Sequence, residues 1–250
     1  MTSKQLRLNR IFAADGRSLI VAMDHGISGL NPLDHLTFPR QLLPVVVANG
    51  ADAIITTPGI ACSYCDLFGR AGLILRIDGG PSALSGEWNK MELLLGVEDA
   101  LRLGADAVIV MAITGTSEEA HSLANLGRLA ARCQEWGVPL VAEMLPGGFT
   151  AKAVTTEQLI VSARLAAELG ADIVKIRYQG PVAEFQSVIS SCYIPVVIMG
   201  GSKQSEDQLV GEVKDALQAG CRGMAVGRNV WQAEKPAAIT ARLAQTIHMV

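Results

Sequence analysis

Hydrophobic positions along the chain fall into short, β-branched runs separated by longer segments with helical spacing. The runs occupy 18–23 (SLIVAM), 53–57 (AIITT), 72–77 (GLILRI), 107–112 (AVIVMA), 138–143 (VPLVAE), 172–176 (DIVKI), 195–199 (PVVIM) and 223–226 (GMAV). Each is short and nearly continuous in apolar residues, the pattern of a parallel strand buried on both faces. Helical segments fall between most of them, for example 117–136, which opens at the cap-like TSEEAH, and 156–169. Strands alternating with helices predict βαβ units and a parallel sheet.

A weak internal repeat refines this. NGADAII (49–55), LGADAVI (103–109), LGADIVK (169–175) and AGCRGMA (219–225) recur at the entries to the second, fourth, sixth and eighth strands. In each, a glycine suits the left-handed residue that ends a helix, and the strand begins just beyond it. Eight strands without a linker, the even ones sharing one signature, predict a single (β/α)8 TIM barrel spanning 1–250. That length is also usual for the fold.

Composition narrows the partners. Half of the residues are hydrophobic, 4% are aromatic and the net charge is −3, with basic residues scattered. A nucleic-acid surface needs a basic face with stacking aromatics, so none is expected. The N-terminal MTSKQLRLNRIFAADGRS lacks the apolar stretch of a signal peptide, and runs such as AVIVMAI (107–113) are far too short to span a bilayer. A cytoplasmic protein without membrane contact is expected, and barrels of this kind often form homo-oligomers. Five cysteines, with Cys62 and Cys65 as one unrepeated C-x-x-C, read as reduced thiols. The four histidines show no metal-ligand spacing, so neither a metal nor another cofactor is expected.

In a TIM barrel the chemistry lies at the C-terminal ends of the strands. Those ends carry Asp24 and His25, Asp78, Glu143, Lys175 with Arg177 and Tyr178, and the loops 199–203 and 226–231. Lys175 stands out because it interrupts the buried run Ile173, Val174, Ile176. An ammonium buried without partners costs several kcal/mol or more. In a dry interior its charged form is disfavoured, and the neutral amine can attack a ketone to form a Schiff base. A lysine paired inertly with Asp24, or snorkelling to the barrel mouth, is the competing reading. The turns after strands seven and eight, with Gly200, Gly201 and Ser202 in one and Gly227 and Arg228 in the other, suit a phosphate held by backbone N–H groups and a cation. They also read as a tight turn and a solvated arginine. Neither matches the mononucleotide pattern, so a sugar phosphate fits better than ATP.

VAMDHG, LGADAVIV, AAELGADIVKIRYQG, VVIMGGSK and MAVGRNVWQ, in this order between Leu6 and Gln232, resemble the archaeal-type class I fructose-bisphosphate aldolases. They equally resemble the aminodideoxyheptulosonate synthases and the autoinducer-2-phosphate thiolases. The resemblance implies a TIM barrel with Lys175 as the Schiff-base lysine, Asp24 at the substrate hydroxyls or protons, and phosphate on the 200–203 and 227–228 loops. One position departs from the pattern. Aldolase and heptulosonate synthase members carry a proton-donating tyrosine after strand five, in a Tyr-Pro-Arg-Gly context, whereas this chain has Leu145 there and Gly147 at the arginine. A donor from Glu143, Tyr178, His25 or water is then required. The leading expectation is a class I, metal-independent aldolase acting on a phosphorylated ketose or related phosphorylated carbonyl compound. The alternatives are CoA-dependent thiolysis of a phosphorylated diketone, or a sugar-phosphate-binding barrel without turnover.

Overall fold

Each of the eight apolar runs becomes a strand. They are β1 (Ser18–Ala22), β2 (Ala53–Thr56), β3 (Gly72–Arg76), β4 (Ala107–Ala112), β5 (Leu140–Met144), β6 (Ile173–Arg177), β7 (Val196–Met199) and β8 (Gly223–Val226). The computed structural model describes residues 3–29, 32–151 and 153–249. All eight strands are parallel and pair in sequence order, with β8 closing on β1 into a barrel. Pro139 and Pro195 stay just outside β5 and β7, since neither can donate to the ladder. Their carbonyls still accept from Val108 and Val174 at 3.0 and 2.9 Å.

The main helices are α1 (Ser3–Ile11), α2 (Pro39–Ala48), α3 (Pro58–Ser63), α4 (Val97–Arg102), α5 (Glu119–Trp136), α6 (Thr156–Glu168), α7 (Val182–Ser191), α8 (Glu206–Gln218), α9 (Arg228–Trp231) and α10 (Pro236–His248). Among the described residues no helix is long and apolar enough to cross a membrane. Helix α6 starts on a capping box, in which Thr155 Oγ1 accepts from the Gln158 N–H at 3.2 Å and Gln158 Oε1 from the Thr155 N–H at 2.9 Å.

The repeat has a double function. Gly50, Gly104, Gly170 and Gly220 all have positive φ, as expected for helix-ending residues. The aspartates of the first three copies do more than the glycine pattern suggests. Asp52, Asp106 and Asp172 accept an N–H at the start of the preceding strand, at Leu19 (2.7 Å), Leu73 (3.0 Å) and Leu140 (2.8 Å). Each therefore ties neighbouring strands together at the base of the barrel.

Side-chain alternation divides the core in two. Ile20, Ala22, Ile55, Ile74, Ile109, Val141, Ile173 and Val197 fill the barrel, with Leu8, Ile11 and Phe12 of the α1 region packed against them. The alternate set, including Val21, Leu75, Val174 and Ile176, packs outward against helix residues such as Leu126, Leu159 and Leu209. This parity decides what can reach the site.

Candidate active site

The inward set continues above the apolar plug as charged groups: Asp24 after β1, Arg76 on β3, Glu143 on β5 and Lys175 on β6. Each is at most 7% exposed. Lys175 lies opposite Glu143 in the β5–β6 register, and its Nζ is 2.5 Å from Glu143 Oε1. The lysine thus has a partner, and that partner is Glu143 rather than Asp24. Arg76 binds three carboxylates. Its Nε donates to Asp24 at 2.5 Å, its Nη1 to Asp78 at 2.8 Å and its Nη2 to the other oxygen of Glu143. Asp78, just beyond β3, also accepts the Met111 N–H at 2.7 Å.

Ion removal from water costs several kcal/mol per group, so the cluster stands only because each charge meets an opposite one. Burial opposes ionisation of Asp24, but Arg76, His25 and Lys175 overcome it and hold the carboxyl well below its usual range. Burial likewise opposes Glu143, and Lys175 and Arg76 bring its pKa below the ordinary value. For Asp78 burial prevails over Arg76 and the Met111 N–H, and its pKa rises. Two carboxylates are therefore kept as bases around the amine.

Arg76 is the residue that the sequence analysis missed. The argument that singled out Lys175, a cation inside an apolar run, applies unchanged to GLILRI.

Beside the network, His25 Nδ1 stands 3.4 Å from Asp24 Oδ1, and its ring meets Trp231 edge-on at 5.3 Å between centroids. A Cβ on Gly227 would lie 2.4 Å from His25 Cε1, so only glycine lets the histidine lie between the carboxylates and the 227–228 turn. Gly200 is similarly close to Val226, while Gly201 and Ser202 are exposed. Asn229, buried and also unanticipated, holds the two loops together. Its Nδ2 donates to the carbonyls of Gly200 (2.7 Å) and Ser202 (3.1 Å), and its Oδ1 accepts the Gln204 N–H at 2.8 Å. Arg228 has its Nε buried without a partner, and burial together with the neighbouring Arg177 lowers its pKa.

Tyr178 is not brought to this group. Three positions from Lys175, it takes the opposite parity and packs with the outer core. Its ring is edge-on to Phe185 of α7 at 4.9 Å, and burial with Asp215 and Glu212 of α8 raises its pKa. It does not face the amine as a donor should. Leu145 is inward-facing and packs with Met91, Met111 and Ile113, forming an apolar wall at the mouth.

Comparison with known proteins gives the family and the fold. The chain is 36% identical to a 2-amino-3,7-dideoxy-D-threo-hept-6-ulosonate synthase of Archaeoglobus fulgidus, covering 100% of this chain and 91% of the relative. It is 34% identical to the class 1 fructose-bisphosphate aldolase of Thermoproteus tenax, over 96% and 92% of the two chains. A solved structure of a Schiff-base-forming fructose-1,6-bisphosphate aldolase superposes with a TM-score of 0.88 at 33% identity, covering 98% of this chain and all of that one. An archaeal fructose-1,6-bisphosphate aldolase with its catalytic lysine covalently bound to a carbinolamine intermediate superposes with a TM-score of 0.87 at 32% identity, over 98% and 99%. The family model for the DeoC/LacD family aldolases matches residues 18–233, and the chain belongs to that family.

Proposed function

We propose that the protein is a class I aldolase that makes or breaks a carbon–carbon bond in a phosphorylated ketose through a Schiff base on Lys175. One observation carries the reading: in an aldolase-family barrel, the single inward lysine of β6 is buried against a carboxylate at 2.5 Å. Glu143 takes the ammonium proton, and the freed amine attacks the ketone carbon. The attacking nitrogen passes a second proton to the former ketone oxygen, Glu143 returns the first to that same oxygen, and it leaves as water to yield the iminium. In the cleavage direction, Asp24 removes the proton of the hydroxyl on the carbon beyond the scissile bond. That hydroxyl becomes the aldehyde, and the bonding pair passes into the iminium to form an enamine. Arg76 keeps both carboxylates ionised until each takes its proton, and holds them aimed at the reacting atoms. The 200–202 and 227–228 loops hold the phosphate, with Arg228 as the cation.

Borohydride with dihydroxyacetone phosphate should add covalent mass at Lys175, and Lys175→Ala should lose both the adduct and turnover. Equal labelling of the alanine variant overturns the assignment. Cleavage that proceeds only with added coenzyme A assigns acyl transfer instead.

A further inference from the structure

Arg177 is two residues beyond Lys175 on β6. Ile173 lies in the barrel interior and Lys175 meets Glu143 there, so strand alternation puts Arg177 on the same inward side. It stands one layer nearer the mouth, about 7 Å further along the strand. Arg177 is half-buried, and among the described residues its side chain has no hydrogen bond or ion pair; the guanidinium of Arg228 feels its charge. Every carboxylate of the site is already taken by Arg76 or Lys175. Two cations therefore share the mouth with no ion pair to either among the described residues, and the Nε of one is buried without a partner.

Such an arrangement is unfavourable in the free protein and becomes favourable when a ligand brings two negative charges. Guanidinium forks match phosphate oxygens, and two of them around one group favour the dianion over the monoanion. The position also says which phosphate. With the ketone carbon joined to Lys175, a phosphate on the adjacent carbon is within reach of a guanidinium one layer nearer the mouth.

We propose that Arg177 binds the substrate phosphate jointly with Arg228, selecting a dianionic phosphate on the carbon next to the reacting carbonyl. This rests on the Schiff-base reading for the position of the carbonyl only. The Arg177–Arg228 pair is an anion site with or without turnover.

The test uses the intact protein and its Arg177→Met and Arg177→Lys variants. Glycerol 3-phosphate, which has no carbonyl, is titrated calorimetrically, and borohydride trapping is compared between dihydroxyacetone phosphate and dihydroxyacetone. Arg177→Met should bind glycerol 3-phosphate ten-fold or more weakly and trap dihydroxyacetone phosphate correspondingly less. Its labelling by dihydroxyacetone should be unchanged. Arg177→Lys should recover part of the loss, and without ligand Arg177→Met should melt no lower than the unaltered protein. Glycerol 3-phosphate binding that is equal in both proteins, or absent from the unaltered one, overturns the proposal. So does an equal loss of labelling with both ketones, which marks a structural role. If no ketose is trapped while glycerol 3-phosphate binding still depends on Arg177, the Schiff-base reading fails and the anion site stands.

Discussion

Replacing Arg76 with methionine is the most severe perturbation the site offers. Methionine keeps the volume of the arginine stem but deletes a guanidinium that touches Asp24, Asp78 and Glu143 at once. The cluster falls from three carboxylates against two cations to three against Lys175 alone. Removing one partner of a buried ion pair costs about 3–5 kcal/mol, so the loss should reach at least that range. For a chain of this size about 2–4 °C follow per kcal/mol, which places the drop in Tm at roughly 6–20 °C. The pH dependence identifies the cause. In the unaltered protein the pKa values of Asp24 and Glu143 lie below their ordinary values. Their contribution is therefore fully present above the unfolded values, near pH 4, and is lost as pH falls through the lower folded ones. Without Arg76, burial dominates and the folded pKa values rise above the unfolded ones. The variant is then favoured in acid and weakens as pH rises through those values. The difference in Tm between the two proteins should widen as pH rises above the unfolded carboxylate values, near pH 4. Adding Asp78→Asn, which removes one of the uncompensated charges, should narrow it at the upper end. Scanning calorimetry across that rise in pH decides the matter. A Tm difference independent of pH, or one smaller than about 2 °C, would show that Arg76 does not carry the charge balance.

Arg228→Ala removes a charge-assisted contact worth roughly 1.5–3 kcal/mol, so KM for a phosphorylated ketose should rise about ten-fold or more, and unchanged kinetics would place the phosphate elsewhere. Asn229→Ala frees the carbonyls of Gly200 and Ser202. It should raise KM for phosphorylated substrates while leaving borohydride labelling by dihydroxyacetone intact, and equal losses in both would refute a loop-positioning role. Leu145 offers no proton, and general acid–base assistance is worth about 10²–10⁴ in rate, so fructose 1,6-bisphosphate should be cleaved well below the usual kcat range of about 1–10³ per second. A kcat within that range would show that a donor in the place of Leu145 is dispensable.

The barrel was legible in the sequence because its signals are short-range. A continuous apolar run marks a strand buried on both faces, and a glycine six to eight residues upstream of a strand's end marks the helix stop before it; both are properties of a few neighbouring residues. Lys175 was legible for the same reason, as a cost visible inside its own strand. Arg76 carried the same local signal. Tyr178 was also decidable in principle, since its odd offset from Lys175 turns it to the outer side of β6. The identity of each charge's partner lay beyond any local rule. Glu143 meets Lys175 because β5 and β6 pair in one register. Asp24 reaches Arg76 only because β1 and β3 pair with opposite edges of β2, whereas Asp78, two residues beyond Arg76, is its neighbour in sequence. Asn229 likewise acquires its role only when β7 and β8 place two loops within one side chain's reach. Which residue types the site contains is written along the chain; which oxygen neutralises which nitrogen depends on strand register and ring closure, and these exist only after residues far apart in sequence have packed together.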